Sequence, residues 1–207
     1  MRRAVGHKRL PGRPAAPTLV HMAYTLELAQ KLTVMKNIWH LSQIDGEPVP
    51  LGTIQQARMK LKEEVRCTKP DSDETWFTIK ARNIVELGAT YDIADVAGAP
   101  LGTMTKDFGT SLGRSTYQVE TPSGRWTVTE TSQFKAIARR IVGLVTDIPW
   151  LFRVQFSILD GSGADVGHVN RVNFKIKDTY EIKVDDDALD MRVAAAIGVA
   201  VDAFMNR

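Results

Sequence analysis

The sequence predicts a mainly β chain that closes as an antiparallel barrel around an apolar C-terminal helix. Three observations predict it. The segment from Ala188 to Arg207 is apolar almost all the way round, through Leu189, Met191, Val193, Ile197, Val199, Val201 and Phe204 with alanines between them. A surface helix would show one apolar stripe at a period of about 3.6; a helix apolar on every side must be surrounded. Second, turn signals punctuate the rest of the chain about every eight to twelve residues, the spacing of a sandwich or barrel. Third, the runs between these turns alternate apolar and polar residues, as half-buried strands do.

Each element follows from its own residues. Thr75 to Lys80 alternates, as does Tyr180 to Val184, with charges between its apolar positions. Tyr117 to Val119 and Trp126 to Val128 flank the turn residues Pro122, Ser123 and Gly124. A hairpin unit recurs three times. Ile44-Asp45-Gly46 leads to Leu51-Gly52-Thr53, Asp95 and Gly98 lead to Leu101-Gly102-Thr103, and Asp160-Gly161 leads to Val166-Gly167-His168. One hairpin cannot bury its own face, but repeated hairpins around a helix can. The glycine early in each return strand predicts a bend or bulge. Phe134 to Val145 breaks the pattern with a helical apolar stripe. Ser132 fits as its N-cap, and Lys135, Arg139 and Arg140 line its other face. Two readings stay open there, a helix covering one barrel end or a basic amphipathic helix lying on anionic membrane beside Trp150.

Domain organisation follows from composition. Residues 1–23 hold five bases and no acid, with Pro11, Pro14 and Pro17. They read as a disordered basic tail or as a polybasic patch for anionic lipid, without the apolar core of a signal peptide. Residues 24–207 are expected to form one barrel domain. They carry 22 bases against 24 acids, so no basic face for nucleic acid is expected. The single Cys67 excludes an intramolecular disulfide and fits a reducing, cytoplasmic compartment. No uncharged segment is long enough to span a bilayer.

Sites of chemistry are sparse. The four histidines, His7, His21, His40 and His168, show no metal-binding spacing. Glu63 and Glu64 are neighbours in a probable strand and face opposite ways, which suits a solvated edge better than acid–base work. The four tryptophans have no regular spacing and fit core or rim packing. Asp185, Asp186, Asp187 and Asp190 lack the alternating ligands and central glycine of a calcium loop. Asp187 is expected to cap the terminal helix, with Asp190 inside its first turn. One basic group stands out: Arg114, Lys135, Arg139 and Arg140 could gather at one barrel end as an anion site for a lipid phosphate, the alternative being a solvated face.

Phe77 to Arg82, Tyr91 to Gly98, Leu101-Gly102, Ser111 to Tyr117, Tyr180 to Val184 and Asp187 to Asp190 occur in an order that resembles the tubby C-terminal-like superfamily. The likeness lies with its LURP-one-related and phospholipid-scramblase-like branch, as a bacterial-type member. The resemblance covers about residues 25 to 207. It implies a twelve-strand closed barrel around a central C-terminal helix, no enzyme activity and no cofactor. It also implies a lipid- or phosphoinositide-binding module at the cytoplasmic membrane surface. The cysteine cluster of eukaryotic scramblases is missing. A scaffold that binds a protein partner is the alternative, and an enzyme with chemistry at a rim is the least supported.

Overall fold

The computed structural model describes residues 23–31, 33, 36–57, 64–82, 89–107, 115–131, 155–172 and 178–205. Alternation dictates the strands. In β1 (Tyr24–Lys31) the residues Tyr24, Leu26 and Leu28 are buried while their neighbours face outward. The same rule builds β2 (Lys36–Gln43), β3 (Val49–Ala57), β4 (Glu64–Thr68), β5 (Thr75–Ala81) and β6 (Thr90–Asp95). It continues through β7 (Pro100–Asp107), β8 (Thr116–Thr121), β9 (Gly124–Glu130), β10 (Gln155–Leu159), β11 (Asp165–Arg171) and β12 (Thr179–Val184). Each strand pairs antiparallel with its sequence neighbours, and β1 pairs with β12, so the barrel closes with no free edge.

The three repeat units are three bulged hairpins. Leu41 pairs with Gly52 but Ser42 with Pro50; Ile93 with Gly102 but Ala94 with Pro100; Ile158 with Gly167 but Leu159 with Asp165. The extra residues, Leu51, Leu101 and Val166, pack against the core. The glycine beside each bulge is required by close approach. A Cβ at Gly52, Gly102 or Gly167 would lie 2.4, 2.7 or 2.3 Å from the carbonyl oxygen of Thr68, Glu120 or Lys183 on the next strand. The sharp curvature of the barrel leaves no room for a side chain there.

The helix α1 (Met191–Met205) fills the bore. Val193, Ala194, Ala195, Ala196 and Ile197 are wholly buried, and Val199 and Val201 nearly so. Small residues predominate because the wall is close: a Cβ at Gly198 would lie 2.5 Å from Ile182 Cδ1 and 3.3 Å from Leu28 Cδ2. The helix starts three residues later than the sequence suggested, and its cap is Asp190, not Asp187. The Asp190 carboxylate accepts from the Arg192 amide at 2.8 Å, and its carbonyl accepts from Val193 and Ala194. Residues 185–190 are needed to carry the chain from the barrel wall to its axis. Asp186 braces that crossing by accepting from the Ala188 amide and from Trp126 Nε1. Among the described residues no helix is long and apolar enough to cross a membrane.

Aromatic groups with a polar handle anchor the helix at both ends of the bore. Tyr24 donates to the Leu189 carbonyl at 2.6 Å, and Trp39 Nε1 donates to Asp202 at 3.1 Å. Trp76 instead packs edge-on against Phe77. The expected second helix at Phe134–Val145 and Trp150 lie outside the described residues, as does the tail to Met22.

Two outcomes test this architecture. Burial of Leu189, Val193, Ile197, Val199 and Val201 contributes roughly 1.5–3 kcal/mol each, comparable to a whole domain's net stability of about 5–15 kcal/mol. Truncation at Asp187 is therefore expected to abolish cooperative unfolding in calorimetry; a cooperatively melting truncation would refute the plug. Gly167→Ala is expected to cost about 2–3 kcal/mol as overpacking against backbone. Gly46→Ala, with nothing within 4 Å of its Cβ, should shift the melting midpoint little.

Candidate functional site: the two ends of the barrel

Because the barrel is a simple up-and-down meander, its connections sort strictly by end. One end carries the turns 44–48, 69–74, 96–99, 122–123 and 160–164, and the crossing 185–190 into the helix. We term it the hairpin end. These segments hold ten acids and one base, Lys69. The opposite end carries the connections 32–35, 58–63, 82–89, 108–115, 131–154 and 172–178, with eleven bases and four acids. The near-neutral sum of the domain thus conceals two sets of connections that differ in charge by sequence, and of the eleven bases only Arg82 lies among the described residues.

Turn chemistry explains Asp160 among these acids, and Asp95 at the end of β6 follows the same rule. Asp95 Oδ1 accepts from the amides of Ala97 and Ala99 at 2.9 and 2.8 Å, and Asp160 Oδ1 accepts from Ser162 and Ala164 at 2.8 and 3.0 Å. In both turns the glycine three residues on, Gly98 or Gly163, takes a φ above +80°. The Ser162 hydroxyl, with the Ala164 amide, holds Asp160 below the usual carboxylate range. The first repeat departs from this: Asp45 braces the neighbouring strand by accepting from the Thr25 amide at 2.9 Å. Of the remaining acids, Glu47, Asp71 and Asp73 are exposed, whereas Glu74 pairs with Lys69 at 2.6 Å, Asp185 with Lys183 at 3.3 Å and Asp190 with Arg192 at 2.6 Å.

At the far end of the bore lies a buried polar cluster. Asp202, on the last turns of α1, is 2% exposed. It accepts from Trp39 Nε1, and the Tyr180 hydroxyl approaches the same carboxyl, although no hydrogen bond of good geometry reaches that hydroxyl among the described residues. Asp178 and Arg171 stand nearby as an ion pair, with Arg171 Nε 3.0 Å from Asp178 Oδ1. Desolvation pushes the Asp202 carboxyl up to about 6, helped by the Asp178 charge and opposed by Tyr180, Trp39 and Arg171. Burial also raises the Tyr180 phenol, and it pushes the Cys67 thiol up to about 12, which leaves that thiol unreactive.

Among the described residues no catalytic constellation forms. Among the described residues no group of His, Cys, Asp and Glu could hold a metal ion. His40 Nδ1 sits 3.4 Å from Thr53 Oγ1, and His168 lies on another strand, across from Lys183. Glu64 pairs with Lys80 at 3.2 Å and Arg66 at 3.6 Å on the outer surface; Glu63 lies outside the described residues. Arg114, Lys135, Arg139 and Arg140 also lie outside them. The strands that flank these four, β7 to β10, are consecutive in the barrel.

A closed twelve-strand barrel, a helix through its axis and a threefold bulged hairpin are now joined by a family match. The model of the LURP-one-related family matches residues 52–202. The chain belongs to that family. LURP-one-related proteins are part of the tubby-like superfamily, and barrels of this kind are generally not catalytic. The match ends at Asp202, so this LURP-one-related barrel includes its central helix within the shared region. No curated protein matches the chain.

Asp202 is not among the residues that the sequence singles out. A lone acid in an otherwise greasy helix was the available signal, but its partners come from β2 and β12. The pH dependence of stability exposes it. A raised folded-state value favours the protonated form, so this stabilisation is complete below about pH 4 and is lost as pH rises through about 6. Asp202→Asn, which keeps an acceptor for Trp39, is expected to gain on the order of 3 kcal/mol over the parent at pH 7.5 and little at pH 4. Denaturant unfolding at the two pH values measures this; an offset independent of pH would contradict it.

Proposed function

We propose that this barrel is a non-catalytic lipid-binding module that takes anionic phospholipid or phosphoinositide headgroups at the cytoplasmic membrane surface. The observation that carries this reading is the difference in charge, by sequence, between the two sets of connections. The connections opposite the hairpin end hold eleven bases and four acids, and Arg114, Lys135, Arg139 and Arg140 belong to two of them. Arginine suits the task, because its planar fork gives two parallel charge-assisted hydrogen bonds to phosphate oxygens. The absence of a catalytic or metal-binding cluster among the described residues, and the family's generally non-catalytic barrels, support binding over turnover. A scaffold for a protein partner is the second reading, and Val49 and Val96, exposed on two hairpins, support it.

Flotation with neutral and anionic liposomes at low and high salt tests the proposal. The full chain is expected to float with anionic liposomes alone and to release in high salt. A chain beginning at Met22 should retain this binding, and Arg139→Gln with Arg140→Gln should weaken it by about 1 kcal/mol per base. Binding lost with the tail would reduce the effect to a polybasic arm. No binding in either chain would leave the protein-partner reading in front.

A further inference from the structure

We infer that Asp202 is a proton-operated latch for the last turns of α1. With its carboxyl protonated that end of the helix stays seated in the bore; with it ionised that end opens while the ring of strands stays closed. The inference does not rest on the lipid-binding reading. Its ground is the cluster around the carboxyl. Asp202 is 2% exposed and stands one turn from Met205, the last residue of α1. Trp39 of β2 donates its Nε1 hydrogen at 3.1 Å, and Tyr180 of β12 brings its phenol. Arg171 of β11 and Asp178, one residue ahead of β12, act on it by charge. Arg171 is turned to Asp178, with both Nε and Nη2 on Oδ1. β1, which also touches the helix, presents Leu28, which does not titrate. Alternation in β7 and β9 places Lys106 and Glu130 on the inner face, five and three strands round the ring from β12. An ionised carboxyl at position 202 meets three unfavourable conditions. It is out of water. Asp178 carries the same charge. It also lies at the negative end of the helix dipole, where α1 has no basic residue in its last turn.

The two ends of α1 are held unequally. At its start Tyr24 donates to the Leu189 carbonyl, Asp190 caps the first turn, and Trp126 donates to Asp186. In its middle, residues 193–197 are wholly buried and Gly198 abuts Ile182 and Leu28. Beyond Gly198 the described side chains are Val199 and Val201, nearly buried, Ala200, half-buried, and Asp202 itself. The Tyr117 hydroxyl reaches the Ala200 carbonyl only at 3.5 Å. A helix end with few buried apolar contacts opens locally at a lower free energy than the whole domain. In the open form the carboxyl meets water and takes its ordinary value of 3.8, whereas in the closed form it is pushed up to about 6. The latch is therefore fully set below about pH 4 and is lost as pH rises through about 6, the opening equilibrium gaining up to about a hundredfold.

Hydrogen exchange of the full chain tests this, followed amide by amide in NMR at pH 5 and pH 7.5 and corrected for the intrinsic rate at each pH. Protection of the amides of residues 202–205 is expected to fall about tenfold between the two pH values in the parent. In Asp202→Asn, whose side chain cannot ionise, it is expected to change by less than about twofold. Low concentrations of denaturant separate the latch from unfolding of the whole domain. Exchange at 202–205 is expected to be insensitive to them, because a local opening exposes little surface, whereas exchange in β1 and β12 should rise. A pH effect that persists in Asp202→Asn, or none in the parent, overturns the latch. Exchange at 202–205 that follows the strands in denaturant overturns it too, by assigning the pH effect to unfolding of the whole domain.

Discussion

Everything in this molecule depends on the fit between one apolar helix and the bore that surrounds it. A twelve-strand ring of hairpins has an inner face that needs covering, and the helix has no polar side to offer water. Each element is unstable without the other. The fit also dictates composition. Gly198 stands where the wall leaves no room for a Cβ, and Ala194, Ala195, Ala196 and Ile197 are wholly buried beside it. The anchoring groups Tyr24, Trp126 and Trp39 bring apolar bulk and one hydrogen-bond donor each, so the bore stays greasy while the helix ends are satisfied.

Closure of the ring has a second consequence, electrical rather than mechanical. In an up-and-down barrel each connection belongs to one end or the other, so the meander sorts the charges of successive loops into two groups. Tight turns favour Asp, because a short carboxylate accepts from amides two and four residues on, as at Asp95 and Asp160. The longer connections carry the bases. The result is two sets of connections that differ in charge by sequence.

Asp202 marks where these demands meet. It lies in the part of the bore farthest from the hairpins, next to Trp39, Tyr180 and the Arg171–Asp178 pair. A buried acid costs stability at neutral pH, and a hydrophobic residue would pack more easily. Its bond to Trp39 fixes the register of the helix along its axis, since a slip by one residue would leave the carboxyl without that donor.

The sequence by itself determined the fold class, because periodicity is a local property. Alternating runs, Asp/Gly turns and a helix apolar on every side each state their environment without reference to distant residues. The three repeat glycines were legible as bulges for the same reason. Which residue caps the helix was not, because 185–190 had to cross from wall to axis, a path that depends on where β12 ends. The partners of Asp202, and the sorting of charge by end, were also outside its reach. Both follow from which strands stand next to one another and in which direction they run, and only the closed tertiary arrangement decides that.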